Sequence, residues 1–205
     1  MPRNQVLTVV RAVAAVMVLV AIVAQAIELA NHGAFDATRF FAYFTIQSNL
    51  IGVAAFAWLV LGRGASRSRG LELLRGAAAV YLTVTFFVVI FLLSGIDVGL
   101  QLGWVDFVLH KLFPVIVVLD WIVDPPTVRL SPRDAITWLV YPLIWTGFTL
   151  VRGAGDGWYP YPFLDPANGG YGQVAVTAVA VTIGFFVISL AMIWLGNARS
   201  GRTDG

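Results

Sequence analysis

The sequence predicts an all-α, polytopic membrane protein: a six-transmembrane-helix bundle with N- and C-termini in the cytoplasm. Three observations predict it: a shortage of charge, six apolar runs of spanning length, and arginines gathered on one side of those runs. The 205-residue chain is 59% hydrophobic and 12% charged, where ordinary soluble domains carry roughly 25% charged residues. Its mean hydropathy is +0.84. A chain this poor in charge needs lipid rather than water over much of its surface.

A spanning helix needs about 20 mostly apolar residues. Such runs lie at 7–28, 37–61, 75–94, 105–123, 134–151 and 174–195. Breakers separate them at 62–70, 95–103, Pro125-Pro126 and 153–172. These connections are too short for a soluble domain, so 1–205 reads as a single membrane domain. The stretches AVAAVMVLVAIVAQAI and VAVTAVAVTIGFFVISLAMIWL are continuously apolar. The strands of a membrane barrel would alternate over roughly 10 residues instead.

The first run has a rival reading. Met-Pro-Arg-Asn, an apolar stretch and Ala24-Gln25-Ala26 resemble a signal peptide with its cleavage site. The run is longer than a usual signal core and holds Arg11, so a retained span is expected.

Charge sets the orientation. Arg3, Arg63, Arg67, Arg69, Arg75, Arg129, Arg133, Arg199 and Arg202 fall on one side of a six-span model. The other side has Arg39 and Arg152 among Asp36, Asp97, Asp106, Asp156 and Asp165. Basic residues concentrate on the cytoplasmic side, so both ends are expected inside, in a multipass protein of the cell membrane. The net charge of +2 is too mild to call for a nucleic-acid partner; membrane lipids are the expected partners. Oligomeric state is left open. With no Cys and only His32 and His110, the chain calls for no metal and no cofactor.

Ionisable groups inside lipid are costly, by about 2.5–3.5 kcal/mol at mid-helix, so their positions carry information. Arg11 and Lys111 are each within reach of an interface and read as snorkelling anchors. The basic loop Arg63 to Arg75 reads as an orientation signal. Asp120 and Asp124 form a cytoplasmic-side polar cluster with Arg129 or Arg133 as expected partners. In the second span, Thr45, Ser48 and Asn49 share one face, with Gln47 slightly off it. Such side chains either tie helices together or line a polar cavity. His110, in the fourth span, falls at a depth similar to Thr45, which lies about 12 Å into its span at 1.5 Å per residue. Asp106, four residues earlier, shares the His110 face and is placed to accept an imidazole N–H. Pro114 removes a backbone donor just below. A Thr hydroxyl beside a His base is a minimal kit for ester cleavage. The loop GDGWYPYPFLDPANGGYG, at 155–172, carries Trp158, Tyr159 and Tyr161, suited to an interfacial aromatic belt. It reads either as a wet interfacial loop or as a lid over an outward-facing cavity.

Four segments carry a family resemblance: QAIE at 25–28, FFAYFTIQSN at 40–49, HKLFP at 110–114 and YPFLD at 161–165. In this order they resemble the androgen-induced-gene membrane protein family and its bacterial members. That resemblance implies a multipass hydrolase of fatty acid esters of hydroxy fatty acids, with a threonine nucleophile and a histidine partner. The histidine maps onto His110. A gap-free match places the family's threonine on Ala42, one turn before Thr45.

Two functions follow. One is an intramembrane hydrolase of lipid esters. Thr45 would attack the acyl carbonyl, His110 would act as base, and Asp106 would orient it. Gln47 or Asn49 would donate to the oxyanion, with Ser48 in the same pocket. The other is a non-catalytic membrane protein, either a transporter of small solutes or lipids or a partner subunit. No inverted repeat relates the first three spans to the last three, which weighs against the transporter.

Overall fold

The computed structural model describes residues 3–62, 65–95 and 102–200. Arg63, Asp97 and Arg202 lie outside the described residues. The chain is helical and no strand occurs among those described.

Helix α1 runs Arg3–Asn31. After the one-turn α2, Ala37–Phe40, come α3, Phe44–Leu61, and α4, Arg69–Phe91. Helix α5, Gly103–Phe107, passes through a π-helical turn, Val108–Leu112, directly into α6, Phe113–Val123. Helices α7, Pro132–Asp156, and α8, Gly170–Ser200, complete the bundle, joined through 3₁₀ turns at Pro162–Leu164 and Pro166–Asn168. Among the described residues, five helices are long and apolar enough to cross a membrane: α1, α3, α4, α7 and α8. The chain from α5 to α6 is helical throughout, but the π turn divides it.

Helix α4 is the central post, touching α3, α6, α7 and α8. Its small residues Gly76, Ala77, Ala78 and Ala79 allow that closeness. At Gly76 a Cβ would lie 2.1 Å from the Trp138 ring, so only glycine fits there. The outer surfaces invert the soluble-protein pattern. On α1, Val13, Val16, Val20, Val23 and Ile27 form an exposed stripe at three- and four-residue spacing, while Ala14, Val18, Ala21 and Gln25 face inward. Helix α8 repeats this with Val176, Val179, Ile183 and Val187. Apolar stripes of this length suit lipid; water-soluble monomers rarely expose such patches.

The expected second run, 37–61, is not one helix. The chain leaves the helical path after Phe40, and Tyr43 is extended (φ −63°, ψ 127°) before α3 begins. Side chains stabilise this break by taking over carbonyls that a continuous helix would have bonded. Gln47 Nε2 donates to the Phe41 carbonyl (2.7 Å) and Trp145 Nε1 to the Ala42 carbonyl (2.9 Å). Thr45 therefore sits in the first turn of α3 rather than about 12 Å along a helix.

At the far end of the bundle, the charges form a closed ion network. Arg11 donates to Asp120 (2.7 Å) and Asp124 (2.5 Å). Arg75 reaches Glu72 (2.7 Å) and Asp120 (3.0 Å). Arg67 reaches Glu72 (3.0 Å) and Asp124 (2.8 Å). Thr127 adds its N–H and its hydroxyl to Glu72 (3.0 Å each). This corrects three expectations. Arg11 is buried and paired, so it is not a snorkelling anchor. Arg67 and Arg75 are structural ion partners as well as positive charges. Asp120 and Asp124 pair with Arg11, Arg67 and Arg75, not with Arg129 or Arg133. Helix α6 turns Asp120 toward α1 and α4, and the chain departs at Pro125-Pro126 before it reaches either of those arginines. Lys111 pairs with Asp106 at 3.3 Å and remains half-exposed.

Candidate functional site

The site forms where the first turn of α3, the π turn and the loop after α7 converge. The first amides of α3 have no carbonyl one turn back to bond, so they need outside acceptors. The Thr45 N–H finds one in the Tyr161 hydroxyl oxygen, at 3.2 Å. The Thr45 side chain lies on the same side: its Oγ1 is 3.3 Å from the Tyr161 hydroxyl and 3.2 Å from His110 Nε2. His110 Nδ1 is 2.8 Å from Asp106 Oδ1. Thr45, His110 and Tyr161 are buried, whereas Asp106 is partly open.

The local helix geometry explains how His110 is held. Pro114 has no N–H, and its ring would collide with the carbonyl of residue 110 in a regular helix. The chain accommodates it with the π turn, in which the Phe113 N–H bonds to the Val108 carbonyl. That register leaves Leu109 without its usual partner, because Phe113 is engaged and Pro114 has nothing to donate. Asn49 from α3 fills the gap: its Nδ2 donates to the Leu109 carbonyl (3.2 Å) and to the Thr45 carbonyl (2.8 Å). One side chain thus joins the backbone at Thr45 to the backbone next to His110.

The residues expected around the pair divide accordingly. Thr45, His110 and Asp106 come together. Ser48 donates to the Thr45 carbonyl (3.1 Å) and meets the Thr85 hydroxyl (3.4 Å). Gln47 faces Phe41 and accepts from the Tyr141 hydroxyl. Asn49 Nδ2 donates to two backbone carbonyls and Gln47 Nε2 to one, and neither residue is among those lining the cavity beside His110. Both are placed as tethers: Asn49 between α3 and the π turn, and Gln47 between α3, the preceding turn and α7. Ala42 lies in the turn before α3, with its carbonyl bonded to Trp145.

Tyr161 is the member that sequence reasoning missed, having read it as an interfacial belt residue. Its ring is instead turned inward, stacked parallel to Phe163 (5.2 Å between centroids) and packed on the Tyr43 edge. Pro160 and Pro162 on either side stiffen the chain that carries it. A tyrosine between two prolines, inside a loop segment that also carried the family resemblance, was the available signal. Burial pushes its phenol up to about 12, against the opposing pull of the hydrogen bonds with Thr45.

Two cavities meet at these residues. One, of about 260 Å³, is lined by Gln25, Arg39, Tyr43, Thr45, His110 and Tyr161, among others. Above it Arg39 and Arg152 flank the Trp158 ring, at 5.4 and 5.1 Å from its centre. The other, of about 60 Å³, is mostly apolar and runs between α4, α7 and α8, with Val84, Val88, Val181 and Phe185 in its wall beside the hydroxyls of Thr85, Thr146 and Thr182. Thr45 and Tyr161 line both. No cluster of metal-ligating side chains occurs among the described residues. The arrangement contains a hydroxyl, a base within hydrogen-bonding reach of it, a carboxylate behind the base, and space on both sides of the hydroxyl.

No protein-family model, curated protein or solved structure matches the chain.

Proposed function

We propose that this protein is a multipass hydrolase of lipid esters that uses Thr45 as nucleophile and His110 as general base. The observation that carries the reading is the aligned series Thr45 Oγ1, His110 Nε2 and Nδ1, Asp106 Oδ1, with spacings of 3.2 and 2.8 Å. These are working distances for proton transfer from a hydroxyl to a base and for fixing the base's tautomer. Thr45 attacks the acyl carbonyl as His110 takes its proton. His110 returns the proton to the departing alcohol, and water releases the acyl group by the same route in reverse. Asp106 holds Nδ1–H, so that Nε2 stays available, and stabilises the imidazolium. No cofactor is needed for these steps.

The apolar cavity beside Thr45 and the apolar outer faces of the helices support a lipid substrate, which enters laterally from the bilayer. The resemblance of the QAIE, FFAYFTIQSN, HKLFP and YPFLD segments to the androgen-induced-gene membrane protein family supports the same chemistry. In this reading the family's nucleophile has moved from the Ala42 position to Thr45. The α5–α6 run is the fourth of six spans, the ion-network end faces the cytoplasm with both termini, and the hydrolytic site opens on the outer side of the cell membrane.

The test is covalent. Protein purified in mild detergent is treated with a fluorophosphonate probe and offered p-nitrophenyl esters of medium-chain fatty acids. The wild type is expected to label and to release nitrophenol. Thr45→Ala and His110→Ala are each expected to lose about 10³-fold or more in rate. Labelling that survives both substitutions sinks the assignment.

A further inference from the structure

The proposed hydrolysis leaves one requirement unmet: once Thr45 attacks, the carbonyl oxygen becomes an anion in a mostly apolar setting, where an unpaired charge is costly. Asn49 Nδ2 donates to two backbone carbonyls, Gln47 Nε2 donates to that of Phe41, and neither lines the cavity at Thr45 and His110. We infer that Tyr161 is the oxyanion donor, its O–H presented to the developing oxyanion while its oxygen accepts the Thr45 N–H at the N-terminus of α3. This rests on the hydrolase reading.

Four observations carry it. The phenol lies 3.3 Å from Thr45 Oγ1. The oxyanion and Oγ1 are bonded to the same carbon in the tetrahedral intermediate, so a donor beside one is beside the other after a small rotation. The phenol oxygen accepts the Thr45 N–H at 3.2 Å. That bond belongs to the positive end of the α3 dipole and polarises the O–H outward, making it a stronger donor. Next, Tyr161 and Thr45 are shared by the polar and the apolar cavity, so an ester reaching from one into the other places its carbonyl between them. Finally, the ring is held by Phe163 and Tyr43, which restricts the hydroxyl before substrate arrives. The phenol's raised pKa keeps it protonated across the working pH range.

The electron and proton movements balance. The Thr45 Oγ–H proton goes to His110 Nε2 as the Oγ–C bond forms, and the carbonyl π pair becomes the oxyanion lone pair held by Tyr161 O–H. The pair returns to re-form C=O as the bond to the alkoxide breaks, and His110 protonates the leaving alcohol. Tyr161 keeps its proton throughout.

The experiment compares wild type, Tyr161→Phe and proteins with fluorinated tyrosines at position 161, using p-nitrophenyl octanoate in detergent micelles. Tyr161→Phe is expected to lower kcat about 100-fold with KM within about threefold. The fluorotyrosines change acidity with little change in shape. Their kcat is expected to track phenol pKa at a pH where the phenol stays protonated, which a packing role would not produce. A Tyr161→Phe protein that melts normally and keeps its kcat overturns the inference while leaving Thr45 and His110 in place. A kcat indifferent to fluorination overturns it equally. A wild type inert toward both ester and fluorophosphonate removes the hydrolase reading and this inference with it.

Discussion

At one end of the bundle, three arginines meet three carboxylates; at the other, a threonine, a histidine, an aspartate and a tyrosine meet one another beside an open cavity. Both are polar clusters in a chain with little charge to spare. In the first, the positive and negative charges balance, and Glu72 alone accepts from Arg67, Arg75 and Thr127. In the second, His110 and Asp106 are as close as 2.8 Å, but the two contacts of the Thr45 hydroxyl are longer, at 3.2 and 3.3 Å, and Thr45 and Tyr161 border a cavity. The difference teaches what each end is for. Charges that are fully paired hold helices together, and hydroxyls that border a cavity remain open to a ligand.

The comparison breaks most sharply at Asp120, which pairs with both Arg11 and Arg75. Asp120→Ala leaves two buried guanidinium groups short of a partner, and losses of about 3–5 kcal/mol are expected from breaking a buried pair this way. Thermal unfolding of the purified protein in detergent reads it, while the hydrolytic rate per folded molecule should stay at the wild-type level. An unchanged melting temperature would show that the network does not hold the bundle. The converse substitution lies at the other end. Asp106→Asn is expected to cost about 100-fold in kcat, about 2.7 kcal/mol in the barrier, with stability altered by about 1 kcal/mol or less because its pair with Lys111 is partly solvated. Steady-state kinetics alongside melting curves separate the two effects.

The smallest effect concerns pH. The folded protein holds the Tyr161 phenol at about 12, above the ordinary value of 10.0. The unfolded chain therefore loses that proton first as pH rises. Stability contributed by the neutral phenol is complete below pH 10 and is lost as pH climbs through about 12. Melting curves over that window should fall less steeply for Tyr161→Phe than for wild type; parallel curves would mean that the phenol is solvated.

Much of this arrangement was legible in the sequence where a single element decides it. The length and apolar character of α1 and α8 follow from hydropathy along the chain alone. The Asp106–His110 pair follows from its four-residue spacing. What was not legible depended on long-range partners. The break before α3 exists because Gln47 and Trp145 take the carbonyls of Phe41 and Ala42, and Trp145 comes from a helix about one hundred residues away. The ion network likewise joins Arg11 to Asp120 across more than half the chain. Charge counts assigned these arginines to one side of the bundle but could not name their partners. Tyr161 was obscured because an aromatic residue in a loop between two membrane helices suits an interface equally well, and its inward turn is fixed by packing on Tyr43 and Phe163.

The Asn49 bridge has a mechanical consequence. Helices in a bilayer slide and tilt as the surrounding lipids thicken or thin, and two groups on different helices would ordinarily drift with them. Thr45 and His110 belong to different helices, yet a single amide grips the main chain beside both. Asn49 works as a gauge block between them, so the gap it sets is decided by the length of one side chain rather than by the membrane in which the bundle floats.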